Sequence, residues 1–410
     1  MAEKNENKME KIVSLCKRRG FVFQGSEIYG GLAGTWDYGP YGVALKNNIK
    51  RLWWKMFVED REDMYGMDAA IIMNPKAWEA SGHVSGFTDQ TDDGNKFNVM
   101  FKTSVGAGDS AVESYLRPET AGGMFVNFKN ILDSVHPKMP FGLGQIGKAF
   151  RNEIAPRDFV FRSREFEQME VEYFVKPEEW EKSFEEWRKI MLGWCEIIGL
   201  QKSHVHELEV PDGERAHYSK RTIDFEFDYP FGKKELYGLA YRTDFDLRSH
   251  VALSDVDLSF YDEETKERFT PHVIEPSLGV DRTILAVLIE AHTEDELGGE
   301  ARTYLKLSPK LAPVKVAVFP LLKNKPQLVE KAREVYLKLK KEFGAVEFDD
   351  NGNIGKRYRR QDEIGTPFCV TIDFDTIEKG EGITVRDRDT GKQERISENE
   401  LVSYLKENIL

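Results

Sequence analysis

Cysteine is scarce in this sequence, which contains three cysteines among 410 residues. Cys16, Cys195 and Cys369 lie far apart and form no Cys-x-x-Cys pair. This spacing indicates neither a disulfide framework nor a cysteine-based zinc knuckle.

Long apolar runs are also missing. The longest one near a predicted helix covers residues 283–289, far short of the ~20 residues of a membrane span. The opening MAEKNENKMEK is charged and lacks the apolar segment of a secretory signal. We therefore expect a soluble, cytoplasmic protein with no membrane partner.

Positive charge is not in excess, because 58 Lys and Arg stand against 71 Asp and Glu, for a net charge of −13. This balance disfavours a nucleic-acid binder with a uniformly basic surface and leaves room for a local basic patch. Residues 312–410 carry 18 basic and 18 acidic residues, so the whole net charge lies in the first 311. The one dense basic run, Lys356–Arg360, lies in the neutral C-terminal part.

The length and a 40% hydrophobic content predict two or three domains with sizeable cores. Polar, Gly- and Pro-marked sequence at 291–313 predicts a boundary, and we expect domains at residues 1–300 and 312–410. Beyond the boundary, strands alternate with helices, which is typical of a small α/β domain. Before it, the pattern predicts a helix over 40–60, a strand over 69–73, a loop-rich segment at 92–114, strands over 222–229 and 235–247, and helices over 180–198 and 278–291.

Residues 141–154 and 164–175 alternate with period two and predict an antiparallel hairpin. Arg164, Phe166, Gln168 and Glu170 share one face of the second strand. Arg151 and Glu153 share a face with small residues on the first. Such a face is either solvated or the floor of a polar site, in which arginines suit phosphate oxygens and carboxylates suit an ammonium group or magnesium.

Two further signals need structural context. Gly142-Leu143-Gly144-Gln145-Ile146-Gly147 matches the dinucleotide-binding GxGxxG pattern, but it lies inside a predicted strand, so we interpret it as small residues that allow a close approach. Glu275 to Arg282 runs from an acidic strand end into an apolar helix. Arg282 is either a group that covers a planar ring or an ordinary surface arginine.

Together these segments resemble the three motifs of class II aminoacyl-tRNA synthetases. The helix from Pro40, with the strand that ends at Pro75, resembles motif 1, the homodimer interface. Phe150–Ile154 with Phe161–Phe166 resembles motif 2, and Gly279–Arg282 with the apolar helix after it resembles motif 3. Further segments resemble the homodimeric glycyl-tRNA synthetases of class IIa: Trp36–Pro40, Asn74–His83, Leu116–Thr120, Phe166–Glu170, Glu275–Ser277 and, in the terminal domain, Arg357–Pro367.

The resemblance implies an α/β protein with the class II antiparallel sheet flanked by helices and a smaller C-terminal α/β anticodon-binding domain. It implies a homodimer that joins glycine to tRNA(Gly) through glycyl-adenylate, with ATP and Mg²⁺. Two segments depart from the family pattern. Residues 92–114 contain no cysteine, so we expect no structural zinc, and Gly122 stands where the family usually has Gln.

The resemblance also implies roles for individual residues. Arg151 and Arg282 would be catalytic, Glu235 would hold magnesium, and Arg242 is either a glycine-site residue or part of a structural salt bridge. The implied ATP-binding residues are Arg151, Asn152, Glu153, Phe161, Arg162, Ser163, Arg164, Glu165, Phe166, Glu235, Leu236, Gly279, Val280, Asp281 and Arg282. The implied glycine-binding residues are Glu119, Phe166, Glu167, Gln168, Met169, Glu170, Arg242, Glu275, Pro276, Ser277, Leu278 and Gly279.

For tRNA, we expect contacts from Arg357, Arg359 and Arg360, unless this run is a solvated surface paired with Asp362 and Glu363. Three other functions stay open: a non-enzymatic relative such as a DNA-polymerase accessory subunit, a synthetase for serine or threonine, and an adenylate-forming enzyme that does not charge tRNA. The presence of Arg151, Arg162 and Arg282 argues against the first. The acids near the predicted amine site argue against the second, and the C-terminal domain argues against the third.

Overall fold

The computed structural model describes residues 2–90 and 93–409, and for residues 2–7 it describes the backbone alone. The chain forms two compact units. One contains residues 24–36 and 50–286, and the other contains residues 37–49 and 287–410 with the N-terminal residues up to 23. This division differs from the predicted domains 1–300 and 312–410. The N-terminal helix groups with the C-terminal unit, where Arg18 and Arg19 both pair with Glu363.

The larger unit is built on a seven-stranded sheet. Its strands in chain order are β1 Met64–Gly66, β2 Phe141–Phe150, β3 Glu165–Val175, β4 Val205–Glu209, β5 Arg221–Tyr229, β6 Gly232–Thr243 and β7 His272–Gly279. They are arranged in the order β4-β5-β6-β7-β3-β2-β1. All neighbours are antiparallel except β1 and β2, which are parallel. The antiparallel core predicted for the catalytic domain is confirmed.

The hairpin β2–β3 forms as predicted, with Gly147 opposite Gln168 and Ala149 opposite Phe166. The GxGxxG segment lies inside β2, so no helix begins within it and the dinucleotide pattern is a coincidence. Gly147 is needed for packing, because a Cβ there would clash with the guanidinium of Arg117. Small residues on β2 therefore leave one face of the hairpin open to larger polar side chains on β3.

Helices cover the sheet and form much of the second unit. Those of five or more residues are α1 Ala2–Arg19, α2 Pro40–Trp54, α3 Pro75–Ala80, α4 Ala121–Val126, α5 Phe128–Val135, α6 Trp180–Ile197, α7 Phe245–Ser254, α8 Val280–Ala291, α9 Pro326–Phe343, α10 Ile354–Ile364, α11 Phe374–Glu378 and α12 Leu401–Ile409. The predicted 40–60 helix is confirmed as α2, which continues into one π-helical segment, Lys55–Glu59.

Aromatic packing within one chain explains why α2 and α6 are so rich in tryptophan. Trp53 stacks on Phe57 at 5.0 Å between ring centroids, and Phe57 contacts Trp187 and Trp194 of α6 at 5.9 and 5.8 Å. All four side chains are buried. The predicted helix over 180–198 is confirmed as α6, and its aromatic face lies in the core.

Three predicted elements differ from the structure. The 69–73 strand is absent from the described chain except for one bridge at Ile72, because side chains take over the backbone of Ala69: Arg117 binds its carbonyl and Gln145 its N–H. The 235–247 strand ends at Thr243, whose φ of 57° turns the chain into α7. The 278–291 helix starts two residues late, since β7 continues through Gly279.

Residue 92, where the predicted loop-rich segment begins, lies outside the described residues. The rest of that segment contains a short hairpin of Lys102–Val105 and Val112–Tyr115, and a short strand Lys96–Asn98 that pairs with Thr88–Gln90. Further two-stranded pairs are formed by Val22–Gln24 with Trp36–Tyr38, Phe260–Tyr261 with Arg268–Phe269, and His292–Leu297 with Glu300–Leu305.

The C-terminal unit contains a five-stranded sheet. Its strands are β8 Val316–Pro320, β9 Val346–Phe348, β10 Phe368–Ile372, β11 Ile383–Asp387 and β12 Gln393–Ile396, in the order β9-β8-β10-β11-β12. The first three are parallel, with α9 and α10 as connections, and the last two are antiparallel. The predicted small α/β domain is confirmed. Among the described helices, none has the length and apolar character that a membrane crossing requires.

Candidate active site

A polar cleft of about 380 Å³ opens in the larger unit above strands β3, β6 and β7. A smaller cavity of about 150 Å³ adjoins it, since Arg151, Gln168, Glu235 and Ser277 line both. The hairpin face predicted from alternation is therefore the floor of a site. The alternative of a merely solvated face is wrong, since Gln168 and Glu170 are buried.

Three buried glutamates surround the larger cleft. Glu170 accepts hydrogen bonds from Thr120 Oγ1 at 2.5 Å, Ser277 Oγ at 2.7 Å and Gln168 Nε2 at 3.2 Å. Glu119 lies 3.3 Å from His83 Nε2. Acidic oxygens that converge in a buried cleft form a site suited to a cation such as an ammonium group.

The third glutamate, Glu275, is held by Arg242. Arg242 Nη1 donates to Glu275 at 2.5 Å, while its Nε and Nη2 donate to the two oxygens of Asp246 at 2.8 Å each. The guanidinium lies 3.7 Å from the ring centroid of Tyr218. Arg242 is 1% exposed and absent from the lining of the cleft. Of the two interpretations of Arg242, the structural salt bridge is the one observed.

Arg151 occupies the junction between the two cavities. Its Nε donates to the carbonyl of Pro118 at 3.1 Å, and its guanidinium lies 5.2 and 5.3 Å from the rings of Phe166 and Phe87. These contacts hold the arginine in place without pairing its positive charge with a carboxylate. This arrangement suits a group that binds an anionic ligand.

The smaller cavity has an aromatic and cationic lining. Phe166, Phe161 and Arg282 line it, and the Arg282 guanidinium lies 4.4 Å from the centroid of Phe161. Arg282 Nη1 also donates to the carbonyl of Glu235 at 3.0 Å. Arg282 is therefore a fixed wall of the cavity and not an ordinary surface arginine. A flat ring flanked by polar groups would fit this lining.

The structure brings most predicted site residues to the two cavities. The ones that line at least one of them are Glu119, Arg151, Glu153, Phe161, Arg162, Ser163, Phe166, Glu167, Gln168, Glu170, Glu235, Leu236, Glu275, Ser277, Gly279, Asp281 and Arg282. For Glu167 the side chain points to Lys50 at 2.9 Å, and its backbone N–H is held by Asp281 at 2.7 Å.

Eight predicted residues, all in the described part of the chain, line neither cavity: Asn152, Arg164, Glu165, Met169, Arg242, Pro276, Leu278 and Val280. Glu165 and Met169 lie on the opposite face of β3, and Glu165 pairs there with Lys148 at 2.6 Å. Leu278 and Val280 are fully buried in the core. Arg164 instead binds the carbonyls of Ala33 and Glu153 at 2.8 and 3.1 Å. A direct contact from these side chains to a ligand in the cavities is not supported.

Several residues that line or support the cleft were not predicted from the sequence. His83 lines the cleft and pairs with Glu119, while Thr120 and Asp246 hold Glu170 and Arg242 in place. His217 and Tyr218 line the cleft from the loop before β5. His83 and Thr120 end two of the segments that carried the family resemblance, so those segments held the signal. His217 and Asp246 gave none that a single sequence reveals.

A pair of carboxyl groups also faces the larger cleft where the two cavities adjoin. Burial, together with the negative charges of Glu235 and Glu226, raises the pKa of Asp224 to about 7. Asp224 and Glu235 line the same cleft. Mg²⁺ takes oxygen ligands and is often held by one or two carboxylates together with substrate phosphates. These residues therefore fit a magnesium ion that arrives with a nucleotide.

Gly122 occupies a position with no space for a longer side chain. A Cβ there would lie 2.9 Å from the ring of Trp78, which is closer than real Cβ atoms approach. Trp78 is fully buried. The space that a glutamine amide would need is therefore filled by Trp78, and no amide acts from position 122.

The basic run Lys356–Arg360 lies on α10 of the C-terminal unit and is largely committed to protein contacts. Arg357 is 1% exposed and donates to the carbonyls of Pro320 and, at 2.8 Å, Gly352. Arg360 binds Asp349, and Arg359 lies 3.5 Å from Glu300. The prediction that Arg357 contacts tRNA is wrong because the side chain is buried. The partners expected for a solvated run also differ, since Asp362 pairs with Arg386 and Arg302.

Within the described residues, no group of three or more His, Cys, Asp or Glu side chains is arranged to hold a metal ion. The three cysteines are buried and unpaired.

Comparisons with known proteins agree with this geometry. Residues 101–292 match the family model "tRNA synthetase class II core domain (G, H, P, S and T)", and residues 315–408 match the model "Anticodon binding domain". The chain is 48% identical to a glycine--tRNA ligase of Caldanaerobacter subterraneus subsp. tengcongensis, with 98% of each chain covered. It is 47% identical to a glycine--tRNA ligase of Clostridium acetobutylicum, over 99% of this chain and 100% of the relative. For a glycine--tRNA ligase of Macrococcus caseolyticus the identity is 46% over the whole of both chains.

Proposed function

The chain belongs to the glycine--tRNA ligase family of class II aminoacyl-tRNA synthetases, and we propose how its two cavities join glycine to tRNA(Gly) with ATP. In the first step, an oxygen of the glycine carboxylate attacks the α-phosphorus of ATP. The bond from that phosphorus to the β-phosphate bridge breaks, and diphosphate leaves with the electron pair. In the second step, a ribose hydroxyl of tRNA attacks the glycyl carbonyl, and AMP leaves.

One observation carries the assignment of the cavities: Arg151 lines both of them. The larger cleft contains the acids Glu119, Glu170 and Glu275, and the smaller one contains Phe166 and Arg282. Glycine in the first and adenine in the second would bring the glycine carboxylate and the α-phosphate next to each other at Arg151. The first step needs orientation and charge stabilisation more than covalent help, and a fixed guanidinium at the junction supplies both.

The smaller cavity would bind the nucleotide. Phe166 and Arg282 would hold the adenine ring between them, Glu153 would accept a hydrogen bond from its exocyclic amine, and Arg162 would contact the outer phosphates. Arg282 joins Arg151 as a catalytic residue because it fixes the nucleotide for in-line attack. The lining positions of all four residues support these roles.

Glu235, with Asp224 beside it, would hold Mg²⁺ against the ATP phosphates. The ion would neutralise part of the phosphate charge that develops as diphosphate leaves. Glu235 Oε2 lies 3.3 Å from Arg282 Nη1, and both residues line the smaller cavity.

Affinity for glycine would come from the acids, and selectivity would come from side chains that exclude a methyl group. Glycine has no side chain, so its affinity must come from the ammonium and carboxylate groups. Glu119, Glu170 and Glu275 would face the ammonium, with Ser277 and Gln168 as neutral partners. A larger amino acid would need volume next to Tyr218 and Ser277. Steric exclusion of a larger competitor needs no editing site.

We also propose a homodimer and a cytoplasmic location, which are the assembly and compartment implied by the family resemblance. The anticodon-binding match at 315–408 supports tRNA contacts from the C-terminal domain.

The test is ATP–diphosphate exchange with glycine, serine, alanine or threonine as the amino acid, followed by charging of tRNA(Gly). We expect exchange and charging with glycine alone. Exchange that is faster with serine or threonine would reject the glycine assignment. Exchange without charging of any tRNA would leave an adenylate-forming enzyme.

A further inference from the structure

Five carboxyl groups are buried around Arg242 behind the larger cleft. Glu172 is 0% exposed, Asp246 2%, Glu170 2%, Glu275 6% and Glu119 7%. They come from four separate parts of the larger unit: β3, β7, α7 and the segment before α4. The fold therefore concentrates acidic groups in a region with little access to water.

The cationic partners of this cluster do not match its carboxyl groups in number. Arg242 serves two of them, Asp246 and Glu275. Glu119 is paired with His83. Glu170 accepts hydrogen bonds from neutral groups, and neither oxygen of Glu172 has a hydrogen-bond partner in the structure. If all five were ionised, at least two negative charges would be buried without an ion pair, at a cost of several kcal/mol each. The empty cluster therefore retains protons.

Three hydrogen-bond donors stabilise the carboxylate form of Glu170, whereas Glu275 shares the single charge of Arg242 with Asp246, and Glu172 has no hydrogen-bond partner among the described residues. Glu172 and Glu275 are therefore the two groups best placed to retain a proton, and of these two only Glu275 borders the space where a ligand would bind. Glu172 lies one alternate position beyond Glu170 on β3 and is absent from the lining of both cavities. Glu275 lines the larger cleft, so its proton has a path to solvent. We propose that Glu275 is protonated in the empty cleft and loses this proton when glycine's ammonium group binds. This inference rests on the proposed function, which places that ammonium among Glu119, Glu170 and Glu275.

The electrostatics of the neighbours support this assignment. Burial raises the pKa of Glu275 to about 8 against the influence of Arg242, and the charges of Glu170, Glu119 and Asp246 add to the rise. Burial and the charge of Glu275 raise the pKa of Glu172 well above its usual range, so Glu172 stays neutral. Burial likewise raises the pKa of Glu170, with the charge of Glu119 as the next cause.

The remaining titratable neighbours do not supply the missing positive charge. Although burial opposes it, His83, Arg242 and Arg151 together lower the pKa of Glu119 to about 2, so Glu119 is ionised at neutral pH. Burial lowers the pKa of His250 on α7, which keeps its ring neutral. Burial raises the pKa of Tyr218 well above its usual value, so its hydroxyl is neutral as well.

The direction of the coupling follows from charge. A bound ammonium stabilises the carboxylate form of Glu275 and therefore lowers its pKa, so a proton leaves as glycine enters. By linkage, glycine then binds more tightly as the pH rises toward 8, because fewer proteins must release a proton first. Below that pH, the KM for glycine should rise roughly tenfold for each unit of acidification, until another group limits it.

The direct test is calorimetric titration of glycine into the full chain with α,β-methylene-ATP, an analogue that cannot be cleaved between its first two phosphates. Titrations at pH 7 in phosphate and in Tris, whose ionisation enthalpies differ, report the number of protons exchanged. We expect the wild type to release close to one proton per glycine. The same protein should show a KM for glycine that falls from pH 6 to pH 8, with an unchanged KM for ATP.

Two isosteric variants locate the proton. Glu275→Gln removes the titrating group and should bind glycine more weakly, with no proton release and no acid dependence of KM. Glu172→Gln is the matched control, because it replaces a neutral buried acid outside the cleft, and it should retain the wild-type proton release and pH profile.

The proposal is overturned if the wild type releases no proton at pH 7, whether or not Glu275→Gln folds. It is also overturned if Glu172→Gln abolishes the release. In either case, glycine-dependent exchange would still support the proposed function. A protein with no such exchange at any pH would instead reject the function itself.

Discussion

Arg162 and Glu153 are joined by an ion pair in which Arg162 Nε donates to Glu153 Oε2 across 2.6 Å. Arg162 Nη2 also donates to Asp89 at 2.8 Å. Glu153 and Arg162 are assigned to different ends of ATP, the adenine amine and the outer phosphates. Under the proposed function, nucleotide binding would replace part of this pairing.

We expect Arg162→Ala to raise the KM for ATP by about tenfold to a hundredfold, since one charge-assisted hydrogen bond contributes about 1.5–3 kcal/mol. The KM for glycine should change little. Steady-state ATP–diphosphate exchange with each substrate varied in turn measures both values.

The control is Lys148→Ala, which removes another ion pair of the same hairpin, Lys148–Glu165, from the face away from the cavities. Equal effects of the two substitutions on the KM for ATP would contradict a phosphate contact by Arg162.

Arg151→Ala should abolish most adenylate formation and leave the fold intact. The side chain makes one hydrogen bond to the protein, to Pro118, among the contacts described for it. Its loss should lower kcat for exchange by about a hundredfold or more, because electrostatic groups aimed at developing charge contribute on this scale. Circular dichroism of the variant should match that of the wild type.

Arg157→Ala provides the comparison, because Arg157 is an exposed arginine in the loop of the same hairpin. Exchange by Arg151→Ala within a few-fold of the wild-type rate would refute the assignment.

Strand alternation predicted the floor of the site because period two alone decides which side chains share a face. It could not say how far that face extends along the chain. Glu165, Met169, Leu278 and Val280 are neighbours in sequence of residues that line the cavities, but the pleat of the strand or the packing of the core directs their side chains elsewhere. A contiguous motif therefore contains both site and structural residues, which the backbone geometry separates.

A single sequence could not predict the contacts that hold the site in place. Arg242 and Asp246 are four residues apart, but their burial depends on strands and helices that meet only in the fold. Arg357 belongs to a charged run that indicated an exposed surface, yet one position on an amphipathic helix points inward. Ala69 lies in an apolar run that looked like a strand, and side chains from distant segments take over its backbone.

The pairing of Glu119 with His83 should make the stability of the larger unit depend on pH at the acid end. Burial raises the pKa of Glu119, but His83, Arg242 and Arg151 together outweigh it, so the pKa in the folded state is about 2, below its ordinary value. A carboxyl group whose pKa is lower in the folded state stabilises the fold at pH values above its unfolded-state pKa of about 4.3. This contribution is lost as the pH falls toward the folded-state pKa of about 2. We expect Glu119→Gln to lower the free energy of unfolding by about 3 kcal/mol at pH 7.

That difference between Glu119→Gln and the wild type should shrink as the pH falls from 5 to 3. Urea unfolding at a series of pH values measures it. A difference that stays constant across this range would show that the pair does not titrate with folding.

The proposed homodimer can be tested at two exposed apolar side chains. Trp53 and Phe57 are buried within one chain and are therefore not available to a partner. Val43 on α2 and Ile72 in the 69–73 segment remain 44% and 49% exposed. We expect light scattering to show a dimer at micromolar concentration, and we expect Val43→Glu and Ile72→Glu each to shift it toward monomer.

Leu337→Glu is the control for that experiment, because Leu337 is 64% exposed on α9, outside the predicted interface. A wild-type monomer with full activity would remove the dimer from the proposal. A dimer that Leu337→Glu disrupts and the other two variants leave intact would place the interface elsewhere.

For tRNA binding, point variants are more informative than truncation near Lys310, because residues 287–311 belong to the same compact unit as the C-terminal domain. Arg357→Ala should lower the free energy of unfolding by about 2 kcal/mol, since it removes the donor to the buried carbonyl of Pro320 and a second hydrogen bond, to the carbonyl of Gly352.

Lys356 is exposed on the same helix and available to a phosphate. Lys356→Glu should weaken tRNA binding and reduce its salt dependence by about one phosphate contact through lost counterion release. Lys341→Glu, an exposed lysine on α9, is the matched control for charge. Filter binding at several salt concentrations measures the affinity for tRNA and its salt dependence. Diphosphate exchange, measured in parallel, shows whether a variant has also lost its catalytic activity. Unchanged affinity in Lys356→Glu would move the tRNA contact away from the basic run, because the run's arginines are already committed to the fold.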